Sequence, residues 1–261
     1  MFILIFFIVM ISFIVLMSLW MSGWWILLWI AIGIIAAYLA TAILIVLLIY
    51  ITYPLSISSK FKNAFYRSAA NAALTLTCNV HVKVINKEKI PKDGPLVIYA
   101  NHKSYADPLI LIQAISRPSG FTPKSTLFRL PVIRRILESL GCMPVYRDDT
   151  RKTAIALVEA IKRVEDGHVM FVFPEGGRKN REQDKVIQTR AGAFKLAYKS
   201  KATILPMTIN GNSLIAKRAP FLPTRVKVVV HDPIDYETYK DLNTSEIADI
   251  VQQKINLGII K

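Results

Sequence analysis

The segment Asn101-His102-Lys103-Ser104-Tyr105-Ala106-Asp107 sets an imidazole and a carboxylate five residues apart. On one continuous helix that spacing turns the two side chains about 140° away from each other, so they meet only across a turn. The sequence supplies one. The apolar run 95–100 reads as a buried strand ending just before His102, and Asp107-Pro108 reads as a helix start, with aspartate at the N-cap and proline at the first helical position. A carboxylate bonded to one imidazole nitrogen fixes the tautomer and leaves the other nitrogen to take a proton from a hydroxyl, which makes a general base near neutral pH. Taken singly, Asp107 is an ordinary N-cap and His102 an ordinary histidine; the pairing gives them chemistry. The loop holds no other His, Cys or acidic residue, so no metal site is expected there.

Two later loops also follow apolar runs. Phe173-Pro174-Glu175-Gly176-Gly177-Arg178-Lys179 places two glycines between an acid and a guanidinium. The glycines let the backbone approach a ligand closely, and Arg178 offers a planar fork to phosphate. A glycine turn with a surface ion pair is the plainer reading of the same residues. Arg147, after the run 142–146, is a second guanidinium at a strand end, as suited to the surface as to a site.

These loops need a framework that brings them together. Strands are expected at 80–84, 95–100, 142–146, 168–173, 203–209 and 225–230, and helices from Asp107 and over 131–140, 150–165, 189–199 and 244–256. Such alternation predicts an α/β fold with a largely parallel sheet covered by helices, its chemistry in the loops beyond the carboxyl ends of the strands.

The chain has 261 residues with 33 Lys+Arg and 18 Asp+Glu, yet residues 1–59 contain no Asp, Glu, Lys, Arg or His. Two apolar runs, 1–20 and 24–50, are each long enough to span a bilayer, and four tryptophans cluster around the turn 21–23 between them, as at a headgroup interface. The runs predict a hydrophobic helical hairpin over 1–53. A hairpin dipping into one leaflet has nearly the same sequence, whereas a cleaved signal peptide would need a basic start and a small-residue cleavage site. A basic amphipathic connector is expected over 54–78 and the globular domain over 79–261. Lys60, Lys62 and Arg67, the first charges after the second run, place that domain on the cytoplasmic side of the cell membrane by the positive-inside rule. The formal +15 lies wholly on residues 60–261 and points to an anionic partner. The charge forms no stripe with interleaved aromatics, so lipid headgroups or small phosphorylated molecules fit better than nucleic acid. Cys78 and Cys142 sit in apolar patterns, which suits two buried thiols in a reducing compartment.

In order and spacing, the blocks resemble those of the 1-acyl-sn-glycerol-3-phosphate acyltransferases, the lysophosphatidic acid acyltransferases of the wider glycerolipid acyltransferase group. His102 and Asp107 match the family's H-x-x-x-x-D pair, which implies a base and its orienting partner. Residues 173–178 resemble the F-P-E-G-T-R block, implying that Glu175, Gly176, Gly177 and Arg178 bind the acceptor phosphate. Gly177 stands where the family has Thr or Ser. Residues 141–147 resemble the middle block, ending in Arg147; Leu205-Pro206 resembles the fourth, and Lys124 falls where the family has a lysine between the first two. The likeness covers about 80–232. It implies the family's fold, acyl transfer to the sn-2 hydroxyl of lysophosphatidic acid, an acyl-carrier-protein or coenzyme A thioester as co-substrate, and no cofactor. An acyltransferase with another lysolipid acceptor, and a basic lipid-binding module without catalysis, are the alternative readings.

Overall fold

The computed structural model describes residues 1–21 and 23–260, which divide into two compact units, Met1–Leu55 and Ser56–Lys261. In the first, helix α1 (Phe2–Trp20) packs against α2 (Trp25–Thr52). Gly33 permits the approach: a Cβ there would lie 3.1 Å from Ile14. Phe6 meets Tyr38 edge to face at 4.9 Å. Both helices are long and apolar enough to cross a bilayer, and most of their large side chains face outward, as suits membrane association. Trp20 and Trp24 are exposed beside the turn, whose Ser22 lies outside the described residues.

The second unit opens with α3 (Lys60–Ala72), capped by the Ser59 hydroxyl, which accepts from the Lys62 amide. A six-stranded sheet follows, of β1 (Val80–Ile85), β2 (Leu96–Ala100), β3 (Ser119–Phe121), β4 (Val169–Val172), β5 (Thr203–Asn210) and β6 (Thr224–Val230), in the order β1-β6-β5-β2-β4-β3. Neighbours run parallel except β5 and β6, so the sheet is mixed: β1 and β6 run against the other four. Helices α4 (Asp107–Ala114), α5 (Pro131–Ser139), α6 (Thr150–Glu165), α7 (Lys195–Lys199), α8 (Ile215–Arg218), α9 (Tyr236–Tyr239) and α10 (Thr244–Leu257) complete the unit.

Every residue of β2 is buried, as a continuous apolar run between two layers demands. Val97 and Tyr99 face a core built with α6, α7 and α10, where Tyr99 stacks on Phe194 at 4.4 Å. In β6 the alternation T-R-V-K-V-V-V leaves Arg225 and Lys227 on an exposed face. Asp149 caps α6 by accepting from the Lys152 amide, and Asn243 with Glu246 forms a reciprocal capping box on α10.

The strand expected at 142–146 is not one of the six. That segment runs beside residues 121–125, joined by Met143 N to Phe121 O and Val145 N to Pro123 O, both 2.9 Å, with one isolated bridge between Lys124 and Val145. Pro144 brings no amide to a ladder. The sheet position goes instead to β3, whose three residues are too few for a periodic signal. Gly120 in its middle is required by crowding, since a Cβ would come 2.5 Å from the Leu140 carbonyl oxygen. The helix expected over 189–199 divides into a 3-10 turn, Ala191–Phe194, and α7.

His168, immediately before β4, is buried, with Nε2 donating to the Leu140 carbonyl at 3.0 Å. Burial drives its pKa down to about 4 from the ordinary 6.5. The folded state therefore resists a proton that the unfolded chain accepts. Stability is intact above about pH 6.5 and is lost as pH falls toward 4, by about 2 kcal/mol between pH 7 and 5. Urea midpoints of detergent-solubilised His168→Gln should show a shallower acid loss than wild type; parallel curves would reject this role.

Candidate active site

The site begins where β2 leaves the sheet. Asn101 is fully buried; its side-chain amide donates to the carbonyls of Asp184 (2.8 Å) and Ile209 (2.9 Å), and its Oδ1 accepts the Ile209 amide at 2.7 Å. The strand end is thus riveted to β5, and His102 emerges at a defined point. Its Nδ1 lies 2.9 Å from Asp107 Oδ2. The same oxygen accepts the amides of Lys103 (2.7 Å) and Ser104 (2.9 Å), and Asp107 Oδ1 accepts Asn212 Nδ2 at 3.0 Å.

Asp107 is the first helical residue of α4, with Ala106 at the N-cap, so the expected N-cap position is displaced by one. Instead of capping the helix, the carboxylate folds back to close the loop before it. Because Asp107 only accepts, Nδ1 carries the proton and Nε2 presents a lone pair on the opposite edge of the ring. The ring stacks on Phe173 at 4.2 Å and keeps 17% of its side-chain surface exposed. It is fixed in orientation and still reachable.

Glu175 lies in the other loop but points inward. Oε1 accepts the His102 amide at 2.9 Å, and Oε2 accepts Lys103 Nζ at 2.6 Å; that ammonium also donates to the Lys179 carbonyl at 3.0 Å. Both side chains of the pair are essentially inaccessible. Burial pushes the Glu175 carboxyl above its ordinary range, against the pull of Lys103 and the His102 amide. Glu175 therefore clamps the two loops together from within, away from the surface where a phosphate would meet it.

Gly176 has φ +67°, a left-handed backbone that favours glycine, and a Cβ there would lie 2.6 Å from Arg190 Nε, so a larger residue would strain the turn and displace the Arg190 side chain. Its carbonyl accepts Arg147 Nη2 at 2.8 Å. Gly177 is less constrained: a Cβ would meet Arg147 Nη2 at 3.4 Å, an ordinary contact, so the missing Thr or Ser is not excluded by space. The Arg178 guanidinium lies 3.1 Å above the ring of Tyr105, within the His102–Asp107 loop, and lowers the pKa of that phenol. Arg147, Arg178 and Arg190 thus surround the glycine turn, and among the described residues none is ion-paired with a carboxylate. Lys124 is exposed at its bridge to Val145, two residues before Arg147, and joins this group only through that bridge.

Asn101, Lys103, Phe173, Arg190 and Asn212 contribute to the site without having been picked out in the sequence. Asn101 and Lys103 flank His102, so their position was a signal. Asn212 has none: it reaches Asp107 across 105 residues.

The family model described as "Acyltransferase" matches residues 81–210, a stretch holding both loops. The 1-acyl-sn-glycerol-3-phosphate acyltransferase of Borreliella burgdorferi is 31% identical over 178 residues, covering 67% of this chain and 70% of the relative. A probable 1-acyl-sn-glycerol-3-phosphate acyltransferase of Mycoplasma pneumoniae is 28% identical over 190 residues, covering 68% and 70%. The crystal structure of a 1-acyl-sn-glycerophosphate acyltransferase from Thermotoga maritima superposes with a TM-score of 0.64 at 23% identity, covering 83% of this chain and 93% of that one; at that identity it speaks for the fold.

Proposed function

The chain belongs to the 1-acyl-sn-glycerol-3-phosphate acyltransferase family, and on that premise we propose that it moves a fatty acyl group from a thioester to the sn-2 hydroxyl of 1-acyl-sn-glycerol 3-phosphate, forming phosphatidic acid. The observation that carries the reading is the 2.9 Å contact between His102 Nδ1 and Asp107 Oδ2, beside an arginine-ringed glycine turn.

His102 Nε2 takes the proton of the sn-2 hydroxyl as its oxygen attacks the thioester carbonyl. The new C–O bond forms, the C–S bond breaks on collapse of the tetrahedral intermediate, and the proton passes from the imidazolium to the departing thiolate. Asp107 holds the tautomer and stabilises the imidazolium. No acyl-enzyme is invoked: Cys142 is buried with its thiol pushed up to about 12, a poor nucleophile. Arg178 and Arg147 hold the acceptor phosphate and make the encounter a positioned one. Lys124, bridged to Val145 two residues before Arg147, serves the oxyanion or the phosphate. The donor is an acyl-carrier-protein or coenzyme A thioester, and the chemistry draws on no metal or redox cofactor. Both acyl chains stay in the bilayer held by the N-terminal helices, with the catalytic domain on the cytoplasmic face, where Lys60 and Arg67 follow the second helix.

Purified protein given labelled thioester of each donor type and lysophosphatidic acid should yield phosphatidic acid. Retention of lipid without turnover would leave a binder and sink the enzymatic reading. Arg178→Ala should raise the apparent KM for the phosphorylated acceptor about ten- to hundredfold, the value of a charge-assisted phosphate contact. An effect confined to the acyl donor would overturn that assignment.

A further inference from the structure

We propose that the end of the sheet from which His102 emerges rests directly on an anionic bilayer, seated by the apolar tip Phe221-Leu222 and held by the basic residues beside it. The tip is the most exposed apolar feature of the second unit next to charge: Phe221 is 88% and Leu222 58% exposed, bracketed by Pro220 and Pro223. It is built, since the Leu222 amide donates to the Arg218 carbonyl at 2.8 Å and Arg218 Nη1 donates to the Pro223 carbonyl at 3.3 Å. A water-facing loop gains nothing from a rigidly presented phenylalanine and leucine, whereas an interface takes them up.

Register places this tip at the same end of the sheet as His102. Ala100 is level with Met207, and Asn210 with Lys227. Because β6 runs against β5, following it back from Lys227 to Thr224 carries the chain three residues, about 10 Å, past the end of β5 on the side where His102 emerges. Only β5 separates β6 from β2. The segment before the tip also starts at the site, for Asn212 bonds Asp107. Tyr105, 80% exposed in the His102–Asp107 loop, shares this end.

The charge beside the tip is of one sign. Lys217 and Arg218 are exposed at the end of α8. On the exposed face of the β1–β6 pair, His81 stands level with Arg225 and Lys83 with Lys227. An apolar point set in a basic field is complementary to an anionic lipid surface, where the point enters the headgroup layer and the cations meet phosphates. Only residues 53–59 of the chain separate the second apolar helix from α3, so a bilayer that holds those helices is within reach of the domain. The proposal does not depend on the reaction, and its test reads no turnover.

Full-length Phe221→Cys, labelled with an environment-sensitive fluorophore, is reconstituted in vesicles of phosphatidylcholine with a quarter phosphatidylglycerol and a lipid carrying a nitroxide near its headgroup. Wild type carried through the same labelling supplies the background from Cys78 and Cys142. Lys92→Cys, exposed in the loop before β2 at the opposite end of that strand, is the comparator. Quenching at position 221 should exceed that at 92 by about twofold or more, as expected of a residue seated in the headgroup layer. It should fall when phosphatidylglycerol is replaced by phosphatidylcholine. Equal quenching at the two positions, or none at 221, overturns the docking; quenching indifferent to phosphatidylglycerol overturns the basic contribution.

Discussion

His102→Ala lowers turnover by about four orders of magnitude while the domain stays folded, the size of effect that loss of a positioned histidine base produces. The loss is confined to chemistry because of how Asp107 is held. Without the imidazole its carboxylate keeps the amides of Lys103 and Ser104 and the Asn212 side chain, so no buried acceptor is stranded. The ring itself is partly exposed and gives up mainly its stacking on Phe173. Single-turnover rates of acyl transfer, measured beside a thermal melt of the same preparation, separate the two outcomes. A variant that melts like wild type and turns over within tenfold of it would exclude His102 as the base.

Glu175→Ala has the largest expected effect on stability. It strands Lys103 Nζ in the interior with the Lys179 carbonyl as its remaining partner and leaves the His102 amide without its acceptor. Removing one member of a buried ion pair costs about 3–5 kcal/mol, because the survivor keeps its desolvation penalty and loses its compensation. The double variant Lys103→Met with Glu175→Leu removes both charges and should recover much of that loss. It should still be catalytically impaired, since the tie between the His102 loop and the glycine turn is gone. Urea midpoints of the three proteins in detergent test this. A single variant within about 1 kcal/mol of wild type would show the pair to be solvated and the clamp unimportant.

The contrast between His102 and Glu175 illustrates what could be read along the chain. His102 and Asp107 are neighbours across a single turn, and the strand-ending run and the Asp-Pro start bracket that turn locally, so their meeting was legible. Glu175 was equally legible as a polar member of a glycine turn, yet its direction was not. It points to a lysine 72 residues away, and nothing in either segment specifies the other. Cys142 to Tyr146 failed for a related reason. An apolar run of that length is compatible with a strand or with a packed loop, and Pro144 together with the competing pairing of β3 and β4 decided against it.

The sequence by itself determined the apolar hairpin, the alternation of strand and helix, and the order of the chemical blocks, because each is written in local periodicity or composition, within reach of a few neighbouring residues. Only the tertiary structure decided that β6 and β1 run against the rest, that Arg190 backs Gly176, and that Asn101 and Asn212 hold the His102–Asp107 loop from distant segments. Those choices follow from which chain segments the assembled sheet brings side by side, and that assembly is set by burial summed over the whole domain.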